Sequence, residues 1–489
     1  MKTLIRGSYV VGFEGNGHRV IRDGVVVYEG DQIVHVGKSY DGTADVTIDA
    51  PGRKLVSPGI IDAQAAGGRG LDVQQFATDV GRKDFFGPSG WNFAPSKSYL
   101  EKTWPRDEKE AALLGAEFGM ARVLKSGTTT AVTPSLGPDD QSEDPAVAAA
   151  GQLGTRAYVS LPYGSASYYV DDDGTCHYLW DEEKGFADLE RAKAFASRYD
   201  GAYGGLVKTM LFPYRLDACS PELLRRTKAA ARELNVHIRM NSAQFLLEFY
   251  EIIRRHAKTP VQFLADLGFL GPEVILHHCI FTSGHSWLAY PGDTDVAMVA
   301  DSGASVSYSP LAFARRSVAL ESLHKYLTAG INMALGTDTT PPDMIMMMRW
   351  ASVICKMVER NVNTGTAADV FNMATLGGAK ALAREDLGRL APGAKADIII
   401  VDLDNLRVGP VDDPIRALVH YATMDDVKTV IVDGKVVVQD GRVLGLSRDE
   451  GELLDLVQKL SDARKDAIAA RDWAGRTLEE KYPPTFPMD

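Results

Sequence analysis

The segment GLVKTMLFPYRLDACSPELLRRTKAAARELNVHIRMN, residues 205–241, contains the pattern that decides the fold. It begins with a short apolar run, GLVKTMLF, and ends in a second one, VHIRMN. Between them Leu223, Leu224, Ala230 and Leu234 recur at the spacing of an amphipathic helix. A strand, a helix and a further strand in this order form a βα unit with parallel strands. The segment therefore predicts a parallel sheet covered by helices.

Similar strand-like runs, separated by longer amphipathic segments, recur from about residue 56 to residue 382. They are GIIDA (59–63), TTTAVTPS (128–135), RAYVSLPYG (156–164), VILHHCIF (274–281), SVSYSP (305–310) and NMALGTD (332–338). Together with the two runs above, they give about eight strands that alternate with helices. This number predicts an α/β fold in which residues 56–389 form a (β/α)8 barrel.

The two ends of the chain have a different pattern. VIRDGVVVYEGDQIVHVG (20–37) alternates apolar and polar residues between turns, and strand-like runs return at ADIIIVDL (396–403) and KTVIVDGKVVV (428–438). We expect residues 1–55 and 390–445 to form one small β-sandwich. Residues 446–489 have apolar residues at helical spacing before a Pro-rich end, which predicts a C-terminal helix followed by an extended tail.

The composition excludes several classes of protein. The 489 residues are 45% hydrophobic and 24% charged, which is typical of a globular protein with a large core. Because 53 Lys and Arg stand against 65 Asp and Glu, no overall positive field would attract nucleic acid or an anionic membrane. No apolar run approaches the roughly 20 residues that span a bilayer, and four cysteines without CxxC spacing do not indicate a disulfide scaffold. We expect a cytoplasmic protein that binds neither nucleic acid nor membrane.

Seven segments in a fixed order carry a family pattern. They are SPGIIDAQ (57–64), LKSGTTTAV (124–132), SPELLRRTKAAARELNVHIRMNSAQ (220–244), LGFLGPEVILHHC (267–279), ALGTDTTPPDM (334–344), NMATLGGAKALAREDLGRLAPGAKADIIIVDL (372–403) and VKTVIVDGKVVV (427–438). This pattern resembles the amidohydrolase superfamily, and in particular its cytosine-deaminase-like and chlorohydrolase-like branch. The resemblance implies a distorted (β/α)8 barrel, terminal β segments that pair with each other, and deamination or dechlorination of a heteroaromatic ring.

The resemblance also implies one or two divalent metals at the mouth of the barrel. Their usual ligands are an HxH on the first strand, a His on each of the fifth and sixth strands, and an Asp on the eighth. Here the HxH positions hold Gln64 and Ala66, and the fifth-strand position holds Arg239, whereas His278 and Asp338 keep the family's residues. A guanidinium has no lone pair for a metal, and a catalytic zinc usually takes three protein ligands. We therefore expect no metal cofactor.

The two retained side chains are the predicted catalytic residues. Both follow barrel strands at their carboxyl ends, where barrel enzymes place catalysis. Asp338 would accept a proton from water as a general base, and His278 would share proton transfer or only pair with Asp338. Arg239 would either bind a substrate carboxylate or developing oxyanion, or form an ion pair with Asp338 in place of the metal.

Two aromatic segments, residues 84–104 and 163–183, follow early barrel strands. Aromatic loops over a barrel mouth suit a flat organic substrate, although aromatic residues are also typical of dimer interfaces. We expect a small-molecule substrate and a homodimer or higher homo-oligomer. The residues expected to bind the substrate are Arg239, Gln64, Asn241, Ser242, Trp91, Tyr168 and Tyr169.

These residues predict a metal-independent hydrolase that acts on a C–N bond, in an amide, amine or ring amidine, of a small aromatic or heterocyclic compound. Water activated by a carboxylate alone is a weaker nucleophile than metal-bound hydroxide, so the substrate should be an activated one. Three alternatives stay open: a lyase or isomerase on the same scaffold, a non-catalytic interaction protein, and a metal-dependent amidohydrolase with displaced ligands such as His177, His285 or His324.

Overall fold

The computed structural model describes residues 1–65, 109–135, 143–170 and 176–469, together with residue 486. The strands, in chain order, are β1 (Lys2–Glu14), β2 (Gly17–Glu29), β3 (Gln32–Gly37), β4 (Val46–Pro58), β5 (Ile60–Asp62), β6 (Thr128–Pro134), β7 (Arg156–Ser160), β8 (Pro162–Tyr163), β9 (Ala166–Val170), β10 (Cys176–Trp180), β11 (Val207–Pro213), β12 (His237–Ser242), β13 (Val274–His278), β14 (Ser305–Tyr308), β15 (Asn332–Leu335), β16 (Ile398–Asp402), β17 (Val427–Val432), β18 (Lys435–Gln439) and β19 (Arg442–Val443).

The longer helices lie between the strands and at the end of the chain. They are Lys109–Lys125, Pro145–Leu153, Glu182–Tyr199, Pro221–Leu234, Leu246–His256, Asp295–Ser302, Met344–Glu359 and Glu450–Ala469. Shorter helices are Pro260–Asp266, Pro310–Ala314, Leu323–Thr328, Ala367–Asn372, Gly378–Ala381 and Pro414–His420.

Eight strands, β5, β6, β7 and β11 to β15, form a nearly closed barrel in which each pairs with its neighbour in chain order. All of these pairings are parallel. The amide of Ala63 donates to the carbonyl of Leu335 at 2.9 Å, which joins the first strand to the eighth. The predicted (β/α)8 barrel is confirmed, and its eight strands coincide with the eight apolar runs of the sequence.

The lower part of the barrel is filled by apolar side chains. One buried cluster contains residues from six different barrel strands, which can meet only inside the barrel. These residues are Ile61, Val132, Tyr158, Met210, Ile275 and Ala334. Polar groups therefore lie above this layer, at the carboxyl ends of the strands.

The helix Pro221–Leu234 shows why the sequence folds locally as expected. Ser220 caps its first turn, since the Ser220 hydroxyl accepts from the amide of Leu223 at 3.1 Å, and Pro221 occupies the first turn. Asn235 ends the helix in the left-handed conformation with φ 53°. These caps fix the length of the crossover between β11 and β12.

The terminal segments form one eight-stranded sheet in the order β19, β18, β17, β16, β4, β1, β2, β3. The first and last parts of the chain meet where β4 pairs antiparallel with β16. One face has its own buried core, which includes Ile5, Val26, Val56 and Ile398. The predicted pairing of the two ends is confirmed, and the domain boundaries at 1–55, 56–389 and 390–445 stay a prediction.

A buried ion pair joins this sheet to the barrel. Arg156, at the start of β7, donates from Nε and Nη2 to the two oxygens of Asp397 at 3.2 and 3.1 Å. The same guanidinium donates to Asp433 at 2.9 Å. The side chains of Arg156 and Asp397 are only 2% and 3% exposed, so this contact is desolvated. It fixes the barrel against the terminal sheet.

The predicted C-terminal helix is present as Glu450–Ala469. The predicted extended tail lies outside the described residues, apart from residue 486. Within the part of the chain that the structure describes, no helix has the length and apolar character that crossing a membrane requires.

Candidate active site

The carboxyl ends of the barrel strands bring three predicted site residues together around a fourth, Gln64. The Gln64 amide nitrogen lies 3.2 Å from Nε2 of His278 and 3.5 Å from Oδ1 of Asn241. Its amide oxygen accepts from the hydroxyl of Ser309 at 3.2 Å. The Gln64 carbonyl accepts from the amide of Asp338 at 2.8 Å. Gln64 is 3% exposed, so it is the buried centre of a polar network.

The two predicted catalytic residues are neighbours. Nε2 of His278 lies 3.7 Å from Oδ2 of Asp338, and the His278 ring is completely buried, whereas the Asp338 side chain is 17% exposed. Both residues have positive φ, 73° at His278 and 41° at Asp338. His278 is the last residue of β13, and Asp338 lies three residues after the end of β15, so the alternation of side chains along a strand does not extend past these positions. Of the two groups, the carboxylate is the one that water can reach.

Asp62 lies directly behind this pair and was not predicted. Its carboxylate accepts from the amide and hydroxyl of Thr337 at 3.0 and 2.6 Å, and from the amide of Gln64 at 3.0 Å. Complete burial raises the pKa of Asp62 to about 6, against the effect of these hydrogen bonds. The residue thus holds together the turns that carry Gln64 and Asp338. Its signal in the sequence was an acidic residue at the end of an apolar run.

Arg239 lies deeper in the barrel than the other predicted site residues. Arg239 pairs in register with Ile275 of the apolar layer. This pairing is two residues closer to the start of the strands than the pairing of Asn241 with His277. Its guanidinium carbon lies 4.1 Å from the centre of the Phe212 ring, and the residue is 1% exposed. This is a cation–π contact in a desolvated site. The proposed roles of Arg239 toward a substrate or Asp338 stay predictions.

β12 ends at Ser242, whose hydroxyl is buried and has no hydrogen-bond partner among the described residues, and a turn follows. The turn is held by Glu248, which accepts from the amides of Ala243 and Gln244 at 2.7 and 2.8 Å. Burial raises the pKa of Glu248 to about 8. Sequence reasoning missed Glu248, because a glutamate in an amphipathic helix resembles a solvent-exposed one.

The hairpin of β9 and β10 is fastened beside the same turn. The guanidinium of Arg215 binds both oxygens of Asp217, at 3.0 and 2.7 Å, and donates to the hydroxyl of Tyr168. The hydroxyl of Tyr178 donates to Asp217 at 2.8 Å. The backbone at Arg215 also pairs with the backbone at Asn241 in an isolated parallel β-bridge, so the residue that binds the hairpin lies next to the site.

The other two aromatic predictions have different outcomes. Tyr169 stacks on His177 within the hairpin, with ring centres 5.0 Å apart. Trp91 lies outside the described residues, as do residues 84–104. Whether Tyr168, Tyr169 or Trp91 contacts a substrate stays a prediction.

The donor groups at this site do not fit the histidine-rich metal centre that the resemblance implies. Gln64 and Arg239 supply an amide and a guanidinium, and only His278 and Asp338 are typical ligands. In the described ranges, no group of three or more His, Cys, Asp and Glu could hold a metal ion. All ten histidines of the chain lie in those ranges, and none of them forms such a group with His278 and Asp338 there. His177, His285 and His324 belong to no such group.

Comparisons with known proteins agree with the fold. The model of the Amidohydrolase family matches residues 55–437. A 5'-deoxyadenosine deaminase of Methanosarcina mazei is 31% identical over 471 residues, which cover 94% of this chain and 97% of that relative. A 5-methylthioadenosine/S-adenosylhomocysteine deaminase of Thermococcus kodakarensis is 31% identical over 446 residues, covering 90% of this chain and 94% of that protein.

Solved structures show the same architecture. An adenosine deaminase from Xanthomonas campestris with bound zinc superposes with a TM-score of 0.75 at 20% identity, covering 95% of this chain and 98% of that one. An atrazine chlorohydrolase from Arthrobacter aurescens complexed with zinc superposes with a TM-score of 0.76 at 23% identity, covering 94% and 100%. Both of those structures contain zinc, whereas the described residues of this chain include no group of three or more possible metal ligands.

Proposed function

Because the chain belongs to the Amidohydrolase family, we propose that it removes the exocyclic amino group of a small N-heterocycle, of the purine nucleoside class, by hydrolysis. The prediction of a hydrolase acting on carbon–nitrogen bonds is confirmed by its deaminase relatives. The finer proposal rests on their printed substrates and on one observation at the site. The His278–Asp338 pair is kept at the barrel mouth, with the carboxylate as its exposed member.

In the proposed reaction, the oxygen of a water molecule bonds to the ring carbon that carries the amino group. One water proton passes to the Asp338 carboxylate, and the electron pair of the ring C=N bond moves to the ring nitrogen, which takes up a proton from solvent water. The C–N bond then breaks, and the amine leaves as ammonia with the proton from Asp338. The second water proton leaves as the carbonyl forms and balances the proton taken up by the ring nitrogen.

Ser242 and Asn241 are the groups we propose for binding the ring. The Ser242 hydroxyl is a buried donor without a partner among the described residues, and a substrate ring nitrogen would supply the missing acceptor. A hydroxyl does not give up its proton at neutral pH, so Ser242 orients the ring and does not protonate it. The substrate therefore has to be an activated ring.

We further propose that water activation does not depend on a divalent metal. This proposal is supported by the chemistry of Gln64 and Arg239 at positions where relatives of this family place imidazoles. The Gln64 amide nitrogen, 3.2 Å from Nε2 of His278, is directed at the atom that would otherwise bind the metal. Cytoplasmic location and homo-oligomer formation stay predictions.

The test is ammonia release by the purified full-length protein from 5'-deoxyadenosine and 5'-methylthioadenosine, before and after treatment with a metal chelator. Asp338→Asn should lower kcat/KM by about 10²- to 10⁴-fold, the range for loss of a general base. Asp301→Asn is the matched control, because Asp301 is an exposed helix residue and its loss should leave kcat/KM unchanged.

Two results would contradict these proposals separately. If neither nucleoside releases ammonia, or if Asp338→Asn retains full activity, the proposed reaction is wrong. If chelation abolishes turnover and zinc restores it, the proposed metal independence is wrong, but the proposed hydrolytic reaction is still supported.

A further inference from the structure

We propose that the outer face of the helix Met344–Glu359 is the contact surface of a homodimer, in which the same helix of a second copy of this chain packs on it across a two-fold axis. The contact forms between two protein surfaces and does not depend on the substrate. It gives the expected homo-oligomer a defined face and a defined set of residues.

This helix is apolar on nearly all sides. Its sequence, MIMMMRWASVICKMVE, contains only three charged residues, Arg349, Lys356 and Glu359. A helix on the outside of a domain usually turns a polar face to solvent, whereas a helix that is apolar all round is covered by other protein. One side lies on the core of this chain, where Met347 and Ala351 are completely buried. The opposite side is apolar as well, and a second protein surface would cover it.

The three charged side chains are bound to groups of their own chain. The guanidinium of Arg349 donates to the carbonyls of Val419 and Ala422. The ammonium of Lys356 donates to the carbonyl of Gly365 at 2.6 Å. The carboxylate of the third residue accepts from a backbone amide of a neighbouring helix at 2.9 Å. The charges of this helix therefore do not favour a charged partner.

The outward residues of the helix form one stripe. Met346, Trp350, Val353 and Met357 follow one another at intervals of four, three and four residues, which places them in line on one face. Met346 is half-buried, and the other three are 39%, 37% and 72% exposed. Apolar residues at alternating intervals of three and four form the seam between two packed helices. The spacing therefore favours a helix as the occupant of this face.

The order of the four residues suits a second copy of the same helix. In an antiparallel pair centred between Trp350 and Val353, Trp350 lies opposite Val353 of the partner subunit. Met346 then lies opposite Met357 of the partner subunit. A large ring meets a small side chain, and each of these contacts occurs twice, as a two-fold symmetric interface requires.

The exposed apolar surface around the stripe is large enough for a dimer. Six side chains, each at least 37% exposed, form this patch: Trp350, Val353, Met357, Val358, Val362 and Tyr421. Tyr421 lies beside the helix, because Arg349 binds the carbonyls of Val419 and Ala422 on either side of it. The patch amounts to roughly 600 Å², the upper end of the largest apolar patch on an ordinary monomer. One subunit of a homodimer of standard size buries about 800 Å², of which about 65% is apolar. The patch therefore has the area that one half of such an interface needs.

The test is the molar mass of the purified full-length protein, measured by sedimentation equilibrium at micromolar concentration. We expect twice the 53.1 kDa of one chain. Val353→Glu places a carboxylate in the middle of the apolar contact and should return the mass to that of one chain. Val34→Glu is the matched control, because Val34 is 40% exposed on β3 of the terminal sheet, and its mass should stay at two chains. Both valines are exposed, so both variants should fold, and circular dichroism checks that they do.

Chemical cross-linking locates the contact independently. In Val353→Cys the new thiols of the two copies would lie close to the two-fold axis, and a short bismaleimide should join two chains. In Val34→Cys the same reagent should leave the chains separate. The unmodified protein gives the background from its own four cysteines, of which three are buried.

Three results would overturn the proposal. A mass of one chain for the unmodified protein would show that another occupant, such as the chain's own residues 470–489 or a different protein, covers this face. A dimer that persists in Val353→Glu and is not cross-linked through residue 353 would show that the copies meet elsewhere. A mass of one chain in both glutamate variants would show that the loss is not specific to the helix. None of these measurements depends on whether a nucleoside is deaminated.

Discussion

Replacing Asp62 with Asn should change how the stability of this protein depends on pH. Asp62 is completely buried, and its pKa is raised from 3.8 to about 6. An acid with a raised pKa in the folded state favours folding when it is protonated. Its contribution is therefore fully present below pH 3.8 and is lost as the pH rises through about 6.

The size of this effect follows from the displaced pKa. At about 1.4 kcal/mol per tenfold change in proton affinity, ionisation of Asp62 costs the folded state about 3 kcal/mol by pH 7. An unfolding entropy of about 2.1 cal/mol/K for each of the 489 residues converts this cost to about 3 °C in Tm. The side chain in the Asp62→Asn variant cannot ionise, so its folded state is not destabilised in this way. The Tm of the variant relative to the unmodified protein should rise by about 2 °C from pH 4 to pH 7, because the carboxyl of the unfolded chain is already partly ionised at pH 4.

The assay is thermal unfolding of both proteins across this pH range. Only the change in the Tm difference with pH is diagnostic, because Asn also loses one acceptor for the Thr337 hydroxyl at every pH. Ionisation of Glu248, whose pKa is about 8, changes the stability of both proteins equally and therefore cancels from the Tm difference. A Tm difference that stays constant from pH 4 to pH 7, or that falls, would refute the argument.

Three further changes test the contacts around the barrel. Arg156→Ala leaves the Asp397 carboxylate buried without its bidentate partner and should cost about 3–5 kcal/mol, measured by urea unfolding. Tyr178→Phe removes a hydroxyl that donates to Asp217 at 2.8 Å and should cost about 1–3 kcal/mol, with faster hydrogen exchange in the β9–β10 hairpin. Ser220→Ala removes a helix cap and should cost about 1 kcal/mol in the same urea assay.

Matched controls show whether these costs come from the named contacts. Arg6→Ala breaks an ion pair with Asp49 in which both side chains are more than half exposed, and should cost less than about 1 kcal/mol. Tyr169→Phe should leave exchange in the hairpin unchanged, if the Tyr178–Asp217 bond is what fastens it. Equal costs for Arg156→Ala and Arg6→Ala would contradict the reasoning on burial.

The fold could be predicted from the sequence because barrel strands are buried on both faces. GIIDA, VILHHCIF and NMALGTD are nearly continuous apolar runs, and each lies on a strand of the barrel. The helix Pro221–Leu234 was equally clear, since its apolar spacing is bounded by a Ser cap and an Asn terminus. These signals are local, and tertiary contacts did not override them.

The site was predictable only in part, because alternation along a strand gives the face of a residue but not its depth. Arg239 and Asn241 share a face, yet Asn241 contacts Gln64 and Arg239 stacks on Phe212. Positive φ at His278 ends the alternation at the last residue of β13, which the sequence pattern does not show. Burial of charged groups such as Asp62 depends on distant parts of the chain.

The exchange of a histidine for Gln64 is more than the loss of a ligand. A substitution that only removed the ligand would leave buried polar atoms of the neighbouring side chains without hydrogen-bond partners, at a cost of about 1–3 kcal/mol each. Here the amide donates toward Asn241 and His278 and accepts from Ser309, so its polar atoms are satisfied by side chains from three other strand ends. Rebuilding a metal centre would therefore require breaking this network as well as replacing Gln64, Ala66 and Arg239. This satisfied network supports our proposal that proton transfer takes place on the chain's own Asp338 carboxylate.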